Sequence, residues 1–253
     1  MNFAGKVVLI TGASSGIGAA TAKHFAKLGG SLALAGRNKE NLSKIAAECN
    51  AKDHIELTGE LTNENDTKAI LEKTIERFGR LDVLVNNAGI IETGSIETTT
   101  LEQYDRLMNI NVRSIFHLTS LAVPHLIKTE GNVVNVSSVN GIRSFPGVLT
   151  YCVSKAAVDQ FTRCTALELA TKNVRVNCVN PGVTVTNLHK RGGMGEEQYK
   201  EFLKRTKDTH AMGRPGQPEE VANAIVFLAS QHASFITGVS VPVDGGRHAM
   251  CPR

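Results

Sequence analysis

The chain of 253 residues contains no tryptophan, and aromatic residues account for only 5% of it. It also has no run of like charges, and its formal net charge is only +4. Proteins that bind nucleic acid through its phosphates carry clustered lysine and arginine. Because lysine and arginine are here spread among aspartate and glutamate, we expect no nucleic-acid partner.

Cysteine pairs of the kind that hold zinc are also missing. The five cysteines include no Cys-x-x-Cys pair, which indicates free thiols in a reducing compartment rather than disulfides. The histidines are scattered, so the sequence predicts no metal site. The early apolar run Val7–Ile10 is too short for a signal peptide or a membrane span. We therefore expect a cytoplasmic protein that does not associate with membranes.

Short β-branched or aliphatic runs alternate with longer helical patterns along the whole chain. Such alternation predicts one parallel sheet with right-handed crossovers. We therefore expect an α/β fold: a single-domain, Rossmann-like, doubly wound parallel sheet of about seven strands with helices on both faces, spanning residues 1–253. The predicted strands are Lys6–Thr11, Ser31–Ala35, His54–Leu57, Asp82–Asn86, Asn132–Ser137, Val174–Val179 and Gly238–Val243, and the predicted helices cover about 16–28, 39–50, 64–78, 101–127, 151–172 and 218–230.

One stretch, at about 187–217, interrupts this alternation. It is polar, contains Gly192, Gly193 and Gly195, and has a helical pattern at about 196–207. A connection of this length in a compact domain is usually functional. We expect a lid over the substrate; the alternative is a disordered surface loop.

The first predicted strand is followed directly by a glycine-rich turn, Thr11-Gly12-Ala13-Ser14-Ser15-Gly16-Ile17-Gly18. Gly12 permits a tight turn, Gly16 lets the backbone approach a pyrophosphate, and Gly18 lets the helix pack closely on the strand. The free amides at the start of the helix favour phosphate. This turn therefore predicts a dinucleotide site that includes Ser14, Ser15 and Ile17.

The second predicted strand ends at Ala35, and Gly36, Arg37 and Asn38 follow it. NAD-binding units usually carry an acidic residue here for the ribose 2′-hydroxyl. Arg37 instead offers a planar guanidinium to a 2′-phosphate, and Ser14 can add a hydroxyl donor. The alternative is a solvated arginine at a helix start. Since a charged hydrogen bond contributes about 1.5–3 kcal/mol, the sequence favours NADP(H).

Tyr151 and Lys155 lie four residues apart, so a helix projects them from one face. A nearby ammonium favours the phenolate, and we expect Lys155 to lower the pKa of Tyr151. Moving a phenol pKa from about 10 to about 7 takes about 4 kcal/mol. The pair predicts proton exchange near neutral pH.

Several motifs follow one another along the chain: Thr11–Gly18, Asn86–Gly89, Asn111, Ser138, Tyr151 with Lys155, and Pro181-Gly182. In this order they resemble the short-chain dehydrogenase/reductase family over nearly the whole length, from Lys6 to Gly246. Within that family, Met212–Pro215 and Gly238–Gly246 are most similar to 3-oxoacyl-carrier-protein-reductase-like members.

The resemblance implies a homo-oligomer, a tetramer or dimer, assembled through the helices near 101–127 and 151–172. It also implies that Lys155 contacts the nicotinamide ribose. Glu60 stands where the family usually has aspartate, and Thr184 stands where an aliphatic residue is typical. The further cofactor contacts that the resemblance implies are Glu60, Leu61, Asn86, Asn87, Ala88, Gly89, Pro181, Gly182, Val183, Thr184 and Thr186.

We expect Tyr151 to act as general acid in reduction and general base in oxidation, and Ser138 to donate to the substrate oxygen. The resemblance implies that Asn111 is the helix asparagine that bends the helix and holds a proton-relay water. Ser137 is a poorer candidate than Ser138 by its spacing to the tyrosine. The expected catalytic residues are thus Asn111, Ser138, Tyr151 and Lys155, and the expected substrate contacts are Ser138, Val139, Tyr151, Met194 and Met212.

These expectations describe an NADPH-dependent carbonyl reductase that acts on a small-molecule ketone or secondary alcohol. A 3-oxoacyl thioester is the first substrate candidate. The alternatives are a steroid, xenobiotic or other secondary-alcohol dehydrogenase of the same family and, in another class, a non-catalytic NADP(H)-binding regulator. Lys190 and Arg191 in the 187–217 segment either meet an anionic carrier or lie in solvent.

Overall fold

In the computed structural model, which describes residues 1–51 and 53–251, seven parallel strands form one sheet in the order β3-β2-β1-β4-β5-β6-β7. The pairing is in parallel register throughout, for example Ile10 opposite Leu34 and Val85. The strands are β1 Val7–Thr11, β2 Ser31–Gly36, β3 His54–Thr58, β4 Val83–Asn86, β5 Asn132–Val136, β6 Arg175–Pro181 and β7 Ser240–Val243. The predicted doubly wound α/β sheet is confirmed.

Helices cover both faces of the sheet. They are α1 Gly16–Lys27, α2 Lys39–Cys49, α3 Glu64–Phe78, α4 Leu101–Met108, α5 Ser114–Thr129, α6 Leu149–Ala170, α7 Leu188–Arg191, α8 Glu196–Lys204, α9 Thr206–Thr209 and α10 Pro218–Ala229. No helix of the described residues is long and apolar enough to cross a lipid bilayer.

Alternate residues of β1 enter two different hydrophobic cores. Val8 and Ile10 pack with α1, α2 and α10, whereas Val7 and Leu9 pack with α3, α5 and α6. This division follows from the period of two along a strand, which sends neighbouring side chains to opposite faces. Because both faces are covered, every residue of β1 is buried, as expected for a central parallel strand.

Asp82 connects the beginnings of three central strands, β1, β4 and β5, through hydrogen bonds. Its carboxylate accepts hydrogen bonds from the amide of Val7 at 3.0 Å, from Lys6 Nζ at 3.0 Å and from Arg80 Nε at 2.8 Å. Its own backbone carbonyl accepts from Asn132. Although burial opposes ionisation, these donors hold the pKa of the Asp82 carboxyl below its usual range.

The order of the strands reverses between β1 and β4, which places a crevice at their carboxyl ends. The Thr11 hydroxyl closes the base of this crevice, because it accepts from the backbone amides of Asn87 and Ala88 at 3.0 Å each. Asn87 Nδ2 in turn donates to the Thr11 carbonyl at 2.9 Å. The ends of β1 and β4 are therefore held in a fixed relative position.

The segment predicted as one helix at 101–127 is interrupted. Asn109–Arg113 forms a π-helical turn between α4 and α5. A π turn widens the helix by one residue and frees local backbone groups, and such turns are frequent at functional sites. It carries Asn111, which is fully buried.

The 187–217 segment contains three short helices, α7, α8 and α9, in place of the single helix predicted at 196–207. It is attached to the turn that follows β6: the Tyr199 hydroxyl donates to the carbonyl of Thr186 at 2.9 Å and accepts from its amide at 3.2 Å. The 187–217 segment is therefore folded, in contrast to the disordered surface loop that was the alternative interpretation of its sequence.

Candidate active site

A cavity of about 580 Å³, which we call the central cavity, opens at the carboxyl ends of the strands. Its wall brings together parts of the chain that are far apart in sequence, from the turn after β1 to the residues after β7. Most of the residues predicted for the site lie in this wall: Gly12, Ser15, Gly16, Ile17, Asn87, Ala88, Gly89, Ser138, Val139, Tyr151, Lys155, Pro181, Gly182, Val183, Thr184, Thr186 and Met194.

The glycine turn needs its glycines for two different reasons. Gly12 and Gly16 have positive φ angles of 64° and 55°, a region in which side chains are strained. At Gly18 the reason is contact, because a Cβ there would overlap the carbonyl oxygen of Gly12. The turn is thus a backbone cradle at the start of α1, the arrangement that accepts phosphate.

Tyr151 and Lys155 are both buried on the inner face of α6, with exposures of 6% and 4%. Lys155 Nζ donates to the carbonyl of Val136 at 2.9 Å and lies 5.7 Å from the centroid of the Tyr151 ring. The Ser138 hydroxyl, at the end of β5, accepts from the amide of Asn140 at 3.1 Å and donates to its side-chain oxygen at 3.2 Å. The three predicted polar side chains therefore share one wall of the central cavity.

Burial dominates the acid–base behaviour of this pair. It raises the pKa of Tyr151 to about 12, against the opposing effect of a hydrogen bond with the Ser138 side chain. Burial also lowers the pKa of Lys155 to about 8, although Asp159 and Cys178 act in the other direction. The shift of Tyr151 is opposite to the one expected from sequence, because removal from water disfavours the phenolate more than its surroundings stabilise it.

Asn111 connects the π turn to the loop after β4. Its side chain accepts from the amide of Ile90 and donates to the Ile90 carbonyl, both at 2.9 Å, and also donates to the Ser154 hydroxyl at 3.1 Å. A Cβ at Gly89 would lie 3.2 Å from the Asn111 side-chain oxygen and 3.5 Å from Lys155 Nζ. Asn111 thus lies next to the cavity wall beside Lys155.

Asn86 directly precedes this loop but does not line the central cavity. Its side-chain nitrogen donates to Thr119 at 3.0 Å and to Asn135 at 2.9 Å in a buried network. Asn86 therefore supports the packing between β4, β5 and α5 rather than lining the cavity.

The turn after β6 forms another side of the cavity. Its Val183 amide donates to His210 Nε2 at 3.1 Å, and Val185 pairs with the backbone of Gly216. Burial, followed by the charge of Arg247, lowers the pKa of His210, which keeps the imidazole neutral and able to accept this bond. The turn is thus fixed by residues of the 187–217 segment.

The residues predicted for the adenine half lie at the ends of β2 and β3, outside the central cavity. Arg37 forms an ion pair with Glu60 at 3.3 Å, and both side chains are exposed. A Cβ at Gly36 would lie 3.5 Å from the Ser14 hydroxyl, so Ser14 is beside the end of β2. Asn38 caps α2 by accepting from the amide of Asn41, and Leu61 packs against the hydrophobic core.

Among the described residues, Met212 is the one predicted substrate contact that does not line the central cavity. Met212 is 65% exposed, and its amide donates to the carbonyl of Gly245, which follows β7. Lys190 forms an ion pair with Glu196 at 2.7 Å. Arg191 instead donates to the Ser15 hydroxyl at 2.9 Å and so joins α7 to the glycine turn.

Sequence reasoning missed Arg247, which follows β7 and lines the central cavity. Its position could have been found from the rule that ligands bind outside the carboxyl ends of the strands. His189 and Phe145 also line the cavity. No cluster of three or more histidine, cysteine, aspartate or glutamate residues is placed to hold a metal in residues 1–51 and 53–251.

A glycine cradle beside a buried tyrosine and lysine defines a nucleotide-dependent oxidoreductase. Comparison with known proteins is consistent with that class. The family described as enoyl-(acyl carrier protein) reductase matches residues 12–248. The 3-oxoacyl-[acyl-carrier-protein] reductase of Thermotoga maritima is 40% identical over 97% of this chain and 99% of its own. The meso-2,3-butanediol dehydrogenase of Serratia marcescens is 37% identical over 98% of this chain and 97% of its own.

Among solved structures, the 3-ketoacyl-(acyl-carrier-protein) reductase of Brucella melitensis complexed with NADH matches with a TM-score of 0.90 and 34% identity, over 97% of this chain and 99% of that one. The chain therefore belongs to the short-chain dehydrogenase/reductase family of oxidoreductases.

Proposed function

We propose that the protein is an NADP(H)-dependent carbonyl reductase that interconverts a ketone and a secondary alcohol. The observation that carries this proposal is the common cavity: Ser138, Tyr151 and Lys155 line the same space as the glycine turn. A proton donor and a nucleotide cradle that face one cavity are what hydride transfer to a carbonyl requires.

The residues of the cavity wall fit a nicotinamide dinucleotide. The backbone of Gly12 and Gly16 and the start of α1 would hold the pyrophosphate. The loop after β4, with Asn87, Ala88 and Gly89, and the turn from Pro181 to Thr186 would hold the nicotinamide half. When bound, the cofactor supplies a hydride to the carbonyl carbon.

Tyr151 completes the reduction by giving its phenolic proton to the carbonyl oxygen. The O–H bond of Tyr151 breaks as the O–H bond of the product alcohol forms, and the phenolate remains on the enzyme. Because burial raises the pKa of Tyr151, the phenol keeps its proton at neutral pH until the substrate oxygen takes it. Ser138 donates to the same oxygen as charge develops, and the ammonium of Lys155 stabilises the phenolate that remains.

The preference for NADP(H) rests on Arg37 and Ser14 at the end of β2. The ion pair of Arg37 with Glu60 is exposed, and such pairs contribute about 0–1 kcal/mol. A 2′-phosphate can therefore displace Glu60 from the guanidinium at little cost. Arg37→Ala should raise the Michaelis constant for NADPH much more than that for NADH, and equal changes would count against this role.

The relatives indicate the general class of substrate but not one compound. The Thermotoga relative favours a 3-oxoacyl thioester, and the Serratia relative favours a small secondary alcohol as the second candidate. The 187–217 segment acts as the lid that shapes this pocket, through Met194 and Phe202 in the cavity wall. We also propose that residues 1–253 act as one catalytic domain in the cytoplasm.

A test that separates the reductase from a non-catalytic NADP(H)-binding regulator is the decay of NADPH absorbance with a panel of ketones. Wild type should turn over at least one ketone, and Tyr151→Phe should lose that activity while still binding NADPH. Tight NADPH binding by wild type without turnover of any carbonyl compound would favour the regulator.

We further propose that the protein is a homo-oligomer, a tetramer or dimer, assembled through α4, α5 and α6. These helices expose Leu101, Phe116 and Leu167 to 77%, 60% and 79%. Large apolar side chains grouped on neighbouring helices are typical of an interface.

A further inference from the structure

Arg247 lines the central cavity together with Ser138 and Tyr151, and nothing in the proposed hydride transfer uses it. Its guanidinium carbon lies 4.5 Å from the centroid of the Phe145 ring. Stacking of this kind holds a planar guanidinium in one orientation while leaving its N–H groups free to bind.

The Arg247 guanidinium forms no hydrogen bond or ion pair with any residue in the described part of the chain. Other arginines do: Arg106 donates twice to Glu92, at 2.8 and 2.7 Å, and Arg191 donates to Ser15. Glu92 is the acidic residue of the cavity wall among the described residues, and Arg106 already occupies its carboxylate. Arg247 is thus a cavity cation without a carboxylate partner there.

Asp244 is the carboxylate whose charge acts on Arg247, but its oxygens are used elsewhere. They accept from the amide of Gly246 at 3.0 Å, from the amide of His248 at 2.7 Å and from His248 Nδ1 at 2.9 Å. Burial lowers the pKa of Arg247, which indicates that its guanidinium is partly removed from water. A half-buried cation without a paired anion is costly, and a bound anion would offset that cost.

A second polar group at the same end of the cavity lacks a partner. The Nδ1 atom of His189 is buried and makes no hydrogen bond to the described residues. Burial and the charge of Arg247 lower the pKa of His189 to about 4, so the ring is neutral. It packs against Phe202 at 4.5 Å. This end of the cavity therefore combines apolar walls with an unpartnered His189 ring nitrogen and a partly exposed Arg247 guanidinium that has no carboxylate partner among the described residues.

We propose that Arg247 binds a carboxylate on the carbonyl substrate, so that the preferred substrates are oxo acids and the corresponding hydroxy acids. The inference rests on the proposed carbonyl reduction, but its substrates are free acids rather than the thioester or the neutral alcohol that the relatives favour. A guanidinium binds a carboxylate through two parallel hydrogen bonds. A phosphate monoester offers similar oxygens, but its charge of about −2 calls for more than one cation.

The experiment compares acids with their neutral esters as substrates of the same enzyme. Pyruvate, acetoacetate and levulinate, each beside its ethyl ester, vary the distance from ketone to carboxylate, and dihydroxyacetone phosphate represents the phosphates. Each is assayed by NADPH absorbance with wild type, Arg247→Gln, Arg247→Lys and, as a matched control, Arg205→Gln, which removes the same charge from an exposed position.

Wild type should have a higher kcat/KM for at least one acid than for its ester. Since a charge-assisted hydrogen bond contributes about 1.5–3 kcal/mol, Arg247→Gln should raise KM for that acid about 10- to 100-fold. The same variant should change kcat/KM for the ester less than about twofold, and Arg247→Lys should recover part of the acid preference. Arg205→Gln should behave as wild type.

This inference would be overturned if wild type preferred every ester over its acid. It would also be overturned if Arg247→Gln lowered kcat/KM equally for acid and ester. Either result would leave the proposed reductase activity intact. Preference for the phosphate ester would likewise overturn the assignment to carboxylates. Should wild type reduce no carbonyl compound at all, the reductase itself fails and this inference fails with it.

Discussion

At the scale of single residues, the pair Tyr151–Lys155 owes its chemistry to burial more than to mutual attraction. The helix places both side chains on one face, as the spacing predicts. The Lys155 ammonium nevertheless donates to the Val136 carbonyl. The low polarity around the pair favours the neutral form of each group, which raises the pKa of Tyr151 and lowers the pKa of Lys155. Spacing alone could not reveal this balance, because it depends on what covers the helix.

The pH dependence of reduction should report Lys155. Its pKa of about 8 lies below that of an ordinary lysine, so the ammonium is present below pH 8 and is lost above it. Because this cation stabilises the phenolate left after proton donation, kcat/KM for reduction should fall as the pH rises above about 8. The measurement is a profile from pH 6 to 10.

Lys155→Arg serves as the control for this profile, since arginine stays charged throughout that range. Its activity should be lower, but the fall near pH 8 should be absent. A wild-type profile that stays flat to pH 10, or an identical fall in Lys155→Arg, would contradict the assignment.

Gly18 provides a test of the cofactor cradle. Gly18→Ala would push a Cβ into the Gly12 carbonyl and distort the turn, so the Kd for NADPH should rise at least about tenfold, which is about 1.4 kcal/mol. Fluorescence titration of NADPH measures this. Gly195→Ala is the matched control, because its Cβ would approach no atom closer than 3.9 Å, and binding unchanged in both variants would contradict the prediction.

At the scale of secondary-structure elements, the sheet and most helices could be predicted because local patterns and the buried faces agree. Every residue of β1 and of β5 is buried, and β1 is apolar from Val7 to Ile10, because helices cover both sides of the sheet. The π turn at Asn109–Arg113 has no local sequence pattern, since it depends on the bonds of Asn111 to the distant Ile90. Only the family resemblance indicated a bend at Asn111. The position of Met212 outside the cavity likewise depends on a tertiary contact.

Asp82 allows a test of how the central strands are held. Asp82→Asn removes a buried charge that Lys6, Arg80 and the Val7 amide surround. The free energy of unfolding should fall by about 3 kcal/mol, near the lower end for breaking a buried ion pair because Lys6 and Arg80 remain partly in water.

The sign of the pH effect follows from the lowered pKa of Asp82. Its stabilisation is present above the ordinary carboxyl range and is lost as the pH falls through the pKa of the folded state. Denaturant unfolding at pH 7 and at pH 3 should therefore show a smaller difference between wild type and Asp82→Asn at the lower pH. Asp208→Asn, at an exposed position, should leave stability unchanged; a similar loss there would refute a specific role for Asp82.

At the scale of the whole molecule, the exposed large apolar side chains on α4, α5 and α6 predict self-association. Light scattering after size exclusion should give a mass that is a multiple of the 27.1 kDa chain. Phe116→Asp should lower this mass, because a charge in the middle of an apolar contact is costly to desolvate. Met212→Asp, which alters an exposed methionine elsewhere, should retain the wild-type mass, and a monomeric wild type would rule out the assembly.

The contact of Arg191 with Ser15 has a kinetic consequence for the whole molecule. Helix α7 and the glycine turn are joined by this bond, and a Cβ at Gly16 would lie 3.1 Å from the Thr186 methyl group, so the segment after β6 lies across the nucleotide cradle. A dinucleotide bound in the cradle would lie beneath this segment, so we expect the segment to move aside when the dinucleotide enters or leaves. We therefore expect a compulsory-order cycle in which the nucleotide is first on and last off, with release of the spent nucleotide as the slow step.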